Sequence, residues 1–282
     1  MKNWEITLAK MWDKNNHDVL IASHRGKFGS SVMENTSLAF LMAIGEGADM
    51  VEMDLDRTKD GQIVAHHDKT MERLFHKKTV IKDYTLKELK EMPLYNYTGG
   101  DNVDRLESFD EILDALKDKT ILVLDRCWHC WDEVYGLLIR RNMLKQAIFK
   151  FYLEDDEAYE WAVNHPDCSF IPMSGDVNLF QRLYELKQKT QVPALEILPE
   201  HPEDPIFRKT SFDWLVNHEL KVWCNSLSLA RTMIFGAGYD DLKSIREGAD
   251  KGWGVLVACG VEIIQTDFPH QLKSYLDTIN LG

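Results

Sequence analysis

Eight short apolar runs, each followed by a stretch of helical periodicity, constrain the fold of this chain more than any other feature. The runs span residues 19–23, 50–54, 121–125, 147–151, 169–173, 192–197, 221–225 and 261–266. Between and after them, apolar residues recur at helical spacing over residues 37–45, 107–116, 132–141, 154–163, 177–187, 212–217, 242–248 and 270–276. The runs are apolar on both faces, as strands are when helices cover a parallel sheet. Eight such units in 282 residues predict an α/β chain folded as a (β/α)8 TIM barrel, one domain over residues 1–282.

One stretch departs from the alternation. Residues 54 to 67 are too few to hold a crossover helix, so residues 62–67 must run antiparallel to the second strand. Residues 55–119 then form a hairpin plus a capping insertion ahead of the third barrel strand. That insertion holds a basic, polar stretch at residues 73–82, a short helix beginning at Thr85, and a Gly99-Gly100-Asp101 turn.

The hairpin also makes a chemical prediction. Asp60-Gly61 signals a two-residue type I′ turn. With that turn Lys59 pairs with Gln62, Asp54 lies opposite His67, and Glu52 lies opposite Lys69. Opposed side chains share a sheet face, and Glu52 and Asp54 share it with each other. Two carboxylates and one imidazole then meet at one point, with His24 ending the preceding strand. Paired acids on a strand are ordinarily a solvated face, but two histidines beside them suit acid–base chemistry. Barrel chemistry sits at the C-terminal strand ends. Those ends here carry His24, Glu52, Asp54, Asp125, Arg126, Lys150, Ser174, Glu196, Asn225 and Asp267.

Composition narrows the partners. A net charge of −13 argues against nucleic-acid binding through phosphates. An anionic substrate would therefore need local positive charge, from a metal ion or a few basic side chains. No secretory signal precedes residue 17, and no run of about 18 apolar residues predicts a membrane span or stable insertion. With five cysteines, an odd number, a reducing cytoplasm is the expected setting. Cys127-Trp128-His129-Cys130 has no second C-x-x-C to complete a zinc site and reads as two thiols at a strand-to-helix junction.

The spaced motifs resemble the glycerophosphodiester phosphodiesterases, relatives of the bacterial phosphoinositide phospholipase C barrels. They are His24-Arg25-Gly26, Glu34-Asn35-Thr36, Gly47-Ala48-Asp49 leading to Glu52-x-Asp54, Thr58-Lys59-Asp60-Gly61 and His67-Asp68. Val222-Trp223-x-Asn225 and Gln265-Thr266-Asp267-x-Pro269 look like the family's last two barrel strands. The resemblance implies metal-dependent hydrolysis of glycerophosphodiesters to glycerol 3-phosphate and an alcohol, as part of lipid metabolism. By the same resemblance, His24 and His67 are the acid–base pair, and Glu52 and Asp54 hold a divalent cation, Ca²⁺ or Mg²⁺. Arg25 would contact the phosphate of a small anionic diester, Glu34 would support that arrangement, and Trp223 would line the pocket.

The third barrel strand breaks the pattern. The family usually carries Glu-x-Lys there, whereas this chain has Leu122-Val123-Leu124-Asp125-Arg126. In the simplest register Leu124 replaces the Glu and Arg126 the Lys. Shifted by one residue, Asp125 turns inward as the third carboxylate ligand. Lys150, one strand along, then supplies positive charge near the phosphate, or is a solvated lysine after a strand. Trp128, Trp131, Tyr152 and Trp223 either receive a choline by cation–π contact or are core aromatics. Two other readings stay open on the same scaffold: a phospholipase or sugar-phosphodiesterase, and a non-catalytic barrel that binds phosphodiesters.

Overall fold

A computed structural model describes residues 2–96, 100 and 103–279. Nine strands form one sheet: β1 (Leu20–His24), β2 (Met50–Arg57), β3 (Ile63–Ala65), β4 (Ile121–Asp125), β5 (Ala147–Tyr152), β6 (Ser169–Ser174), β7 (Ala194–Ile197), β8 (Lys221–Asn225) and β9 (Ile263–Thr266). The order β1-β9-β8-β7-β6-β5-β4-β2 closes through parallel β1–β2 pairing, which makes an eight-stranded parallel barrel. Helices cover its outside. β3 hangs antiparallel on the extended end of β2. The sequence predicts this (β/α)8 architecture, and the strand ranges agree to within a few residues.

Alternation along each strand sorts the side chains. One set (Ile21, Val51, Leu122, Phe149, Phe170, Leu195, Val222 and Ile264 among them) packs outward against the helices. The other set fills the barrel interior with Leu20, Ala22, Met50, Ile121, Val123, Ile148, Ile171, Ala194, Trp223 and Ile263. Two residues further up, the inward positions turn polar on seven of the eight barrel strands, at His24, Glu52, Asp125, Lys150, Glu196, Asn225 and Gln265, while β6 has Met173 there. The barrel is therefore greasy below and ionisable at its C-terminal mouth.

Besides the single turn Glu72–Phe75, two helices escape the sequence reading. Asn3–Trp12 lies across the barrel bottom, where Trp4, Leu8 and Met11 pack against the interior core. Those three residues sit at i, i+4 and i+7, a helical stripe that was there to be read. Trp253–Cys259 is the second, entered from Gly252 with no side-chain cap. Met71, Leu74, Phe75, Ile81, Leu89, Leu94 and Leu106 of the segment after β3 form a separate small core with Val64 of β3 and Met33 from the loop after β1. The helix expected from Thr85 is present as Leu86–Glu91, with Thr85 and Glu88 closing a capping box. The Gly99-Gly100-Asp101 turn falls largely outside the described residues.

The hairpin register differs from the expected one. Leu55 pairs with Ala65 and Arg57 with Ile63, and Thr58 N–H donates to Gln62 O at 2.9 Å. The loop is therefore the three residues Lys59-Asp60-Gly61, with Gly61 alone at positive φ (+75°). A type I′ turn needs positive φ at both central residues, and Asp60 does not adopt it. Thr58 stabilises the wider loop, donating from Oγ1 to Asp60 Oδ1 at 2.6 Å and accepting from Gln62 N–H at 2.9 Å. In consequence His66, not His67, lies across from Asp54, its N–H donating to Asp54 O at 3.0 Å.

Candidate active site

Backbone shape sets the first residues. Arg25 and Gly26 both take positive φ (54° and 79°), so the chain turns sharply off the end of β1. Gly26 is obligatory, because a Cβ there would lie 2.6 Å from the Ala39 carbonyl carbon. The turn aims Arg25 back over the mouth. Its N–H donates to Glu52 Oε2 at 3.1 Å, its Nη1 donates to Glu34 Oε1 at 3.0 Å, and its Nε lies 3.1 Å from Asp54 Oδ2. Asn35, also at positive φ, brackets Asp54: Nδ2 donates to Oδ2 at 3.0 Å and Oδ1 accepts the Asp54 N–H at 3.2 Å. Glu34 is buried and also accepts two hydrogen bonds from Arg73, at 2.6 and 2.7 Å.

Each histidine has its Nδ1 on a carboxylate. His24 Nδ1 lies 2.8 Å from Asp267 Oδ1, and His67 Nδ1 lies 2.8 Å from Asp68 Oδ1. A proton on Nδ1 held this way leaves Nε2 with the lone pair. Asp68 is gripped in turn by Arg73, whose Nε donates to Oδ2 at 2.7 Å. Burial works to raise the Asp68 carboxyl, but hydrogen bonds from His67 and Arg73 outweigh it and hold it far below the usual range. An ionic chain thus runs from His67 through Asp68, Arg73 and Glu34 to Arg25 and the β2 carboxylates. His67 lies past the last paired residue of β3, so the hairpin register does not fix its side. His66, its neighbour, is buried edge-on to Phe75, and burial lowers its pKa.

On β4 the ambiguity resolves into one face. Leu124 is buried in the outer layer. Asp125 points inward, in register beside Asp54, and Arg126 turns away at positive φ (55°). Asp125 Oδ2 accepts from Lys150 Nζ at 3.1 Å, and Lys150 also pairs with Glu196 Oε2 at 2.6 Å. Lys150 is fully buried, not a solvated lysine. Its charge and hydrogen bond overcome the burial that would raise Asp125 and keep that carboxyl low. Burial opposes the Lys150 charge, and Asp125, Glu196 and Glu52 together more than restore it. Glu196 in turn accepts from Asn225 Nδ2 at 2.8 Å, and Asn225 Oδ1 accepts from Trp223 Nε1 at 2.9 Å.

Trp223 does not line the pocket. It is fully buried, with the Lys150 ammonium 5.4 Å from its ring centroid. Trp131 belongs to the outer core, and Trp128 packs on that core edge-to-face with Tyr152. Tyr152, half-exposed, is the mouth aromatic. It borders a cavity of about 270 Å³ lined also by Glu200, Asn225, Met233, Ile234 and Phe235. Cys127 and Cys130 are buried thiols whose pKa values burial raises, which makes them inert.

Asn35, Asp68, Arg73 and Asp267 make contacts at the site for which sequence reasoning gave them no role, and Asp241, which accepts the Asp267 N–H, was not singled out at all. Asp267 stands in a recognised motif, but only the fold brings it to His24. The fit of a divalent cation rests on donors and charge. Glu52 and Asp54 offer hard oxygens at successive inward positions, and Asp125 lies abreast. Burial, then the Asp54 and Asp125 charges, push the Glu52 carboxyl well above its usual range. Positive charge there would be welcome. Among the described residues no three ligating groups are already gathered for a metal, and Arg25 and Lys150 pair with Asp54 and Asp125.

Comparison with known proteins gives a consistent picture. Residues 24–135 match the model of the glycerophosphoryl diester phosphodiesterase family, and residues 173–276 match that of a domain of unknown function. A glycerophosphodiester phosphodiesterase of Bacillus altitudinis is 32% identical over 139 residues, 48% of this chain and 54% of that one. One from Caldanaerobacter subterraneus subsp. tengcongensis is 36% identical over 105 residues, 37% of this chain and 43% of that one. The chain thus spans about half the length of the curated relatives it matches. A glycerophosphoryl diester phosphodiesterase of Parabacteroides distasonis shares the fold with a TM-score of 0.80 at 20% identity, over 98% of this chain and 92% of that one. An Oleispira antarctica phosphodiesterase, solved with the product sn-glycerol-3-phosphate, superposes with a TM-score of 0.66 at 18% identity, over 92% of this chain and 96% of that one.

Proposed function

We propose that the chain, whose residues 24–135 match the glycerophosphoryl diester phosphodiesterase family, hydrolyses small glycerophosphodiesters to glycerol 3-phosphate and an alcohol. The observation that supports the proposal is that each of two imidazoles is tied through Nδ1 to an aspartate, His24 at the end of β1 and His67 in the ionic chain that runs through Asp68, Arg73 and Glu34 to Arg25. A mouth that only bound diesters would not need two proton-transfer groups.

In the proposed reaction one histidine takes a proton from the attacking oxygen at Nε2, and the other donates one to the leaving alkoxide. The carboxylate on each Nδ1 holds the tautomer and steadies the imidazolium as it forms. Arg25 and Lys150 offer positive charge to the non-bridging oxygens, and Glu34 fixes the Arg25 fork. Glu52 and Asp54 would hold a divalent cation, with Asp125 joining only if Lys150 releases it. When bound, Ca²⁺ or Mg²⁺ supplies Lewis-acid stabilisation of the phosphate charge. The cavity beside Tyr152 and Asn225 has room for the part of the diester beyond the phosphate.

Lipid cleavage is the second reading, favoured by half-exposed Met233 and Ile234 at the rim of that cavity. Among the described residues no helix is long and apolar enough to cross a membrane. The assay is release of glycerol 3-phosphate from glycerophosphocholine, glycerophosphoethanolamine and a lysophospholipid, with and without chelator. Chelator-sensitive release from the first two is expected. No release from any diester at any metal concentration would return the chain to a binding role.

A further inference from the structure

Asp241 opens the helix Asp241–Glu247, where an acid ordinarily does no more than complement the helix dipole. Here it is wholly buried and accepts four hydrogen bonds. Oδ1 accepts from Ser226 Oγ at 2.6 Å, Trp253 Nε1 at 2.8 Å and Thr266 Oγ1 at 2.8 Å. Oδ2 accepts from the backbone N–H of Asp267 at 2.9 Å. The donors come from the residue after β8, the helix Trp253–Cys259, the end of β9 and the residue after it. The carboxylate therefore ties the ends of two barrel strands to two helices, one step behind the mouth.

We propose that Asp241 is a positioning residue for His24: it fixes the main chain of Asp267, whose carboxylate holds His24 Nδ1 and so aims Nε2 into the mouth. Two further contacts pin the same segment. Phe268 N–H donates to Thr266 Oγ1 at 2.9 Å, and Lys27 Nζ donates to Asp267 O at 3.2 Å. The cage also tolerates a proton. Ser226 Oγ lies 3.0 Å from Gln265 O, so its hydroxyl can turn there and accept from a protonated Asp241. Burial, opposed by hydrogen bonds from Ser226, Asp267 and Trp253, moves this carboxyl up to about 7.

The proposal rests on the reading of His24 as an acid–base group, so its test carries one readout that needs no turnover. In the full-length protein, Asp241→Asn replaces one acceptor with a donor facing donors. Turnover should fall about 10- to 100-fold, the range for outer-shell partners of an oriented imidazole, with KM unchanged. The low-field Nδ1 proton resonance of His24, assigned by its absence in His24→Gln, should broaden or vanish. Asp241→Asn combined with Asp267→Asn should cost no more than Asp267→Asn alone, because both act through one ring. Should Asp241→Asn fail to fold, Trp253→Phe deletes one donor to Oδ1 while keeping an aromatic ring, and a smaller loss with the same change in resonance is expected. A folded variant whose turnover and resonance match the wild type, or a double variant with additive losses, overturns the proposal. A disturbed resonance in a chain that cleaves no diester supports the positioning role and rejects the function.

Discussion

The two imidazole–carboxylate pairs are alike in geometry and opposite in construction. His24 is 5% exposed, ends a barrel strand, and takes its carboxylate from a segment locked by a buried cage of largely uncharged donors. His67 lies past the end of a short antiparallel strand, and its carboxylate is held by Arg73, whose side chain is 36% exposed. One pair draws its order from packing, the other from a chain of charges that solvent and salt can reach. The first side should be rigid and insensitive to ionic strength, and the second adjustable. A site that must admit and release a substrate gains from having one fixed wall and one yielding wall.

Removing either ring should have the largest effect. His24→Ala and His67→Ala should each keep the fold and lose about 10²- to 10⁴-fold in turnover. Wild-type turnover in both variants would take them out of the reaction. The supporting carboxylates should separate the two sides. Asp267→Asn should lower turnover about 10- to 100-fold, and Asp68→Asn less, because water can reach the His67 side and replace part of the contact. Equal losses would mean that the buried cage adds nothing to positioning. Arg73→Ala should have a milder effect, and it should flatten the dependence of turnover on salt, since exposed ion pairs are screened. A salt dependence that survives it would place the adjustable element elsewhere.

Protonation gives the smallest and most specific contrast. The folded pKa of Asp241 is raised to about 7, so its favourable contribution is complete below the unfolded value near 3.9 and fades as pH rises towards 7. Over that window the stability of the wild type relative to Asp241→Asn should fall by about 1.4 kcal/mol per pH unit. Asp68 is depressed, so its contribution is present above the unfolded value and lost as pH falls below about 4. Denaturant titrations across pH should therefore give slopes of opposite sign for Asp241→Asn and Asp68→Asn. Slopes of the same sign would erase the distinction between the two walls.

Much of this was legible in the sequence because a buried parallel strand advertises itself. The apolar runs located all eight barrel strands, and their polar ends gave His24, Glu52, Asp54 and Asp125. Strand alternation then decides between Leu124 and Asp125, and only knowing which residues line the interior makes the choice. The hairpin misled by one residue. Asp60-Gly61 fits a two-residue turn, but Thr58 bonding to Asp60 and Gln62 favours a three-residue loop with Gly61 alone at positive φ. Asp241 was hidden for another reason. An acid in the first turn of a helix is ordinary, and its burial arises from four partners as far as 26 residues away in sequence. Lys150 carried too little local signal, since its two carboxylates come from other strands, Asp125 from the adjacent β4 and Glu196 from β7, two strands away.

The central claim is that both imidazoles address one phosphate. A crystal structure of the protein soaked with sn-glycerol 3-phosphate and a divalent cation tests it most directly. The account predicts the phosphate within hydrogen-bond reach of Nε2 of both His24 and His67, with Arg25 and Lys150 on its oxygens. A phosphate bound away from His67, or one that leaves either imidazole idle, would contradict it.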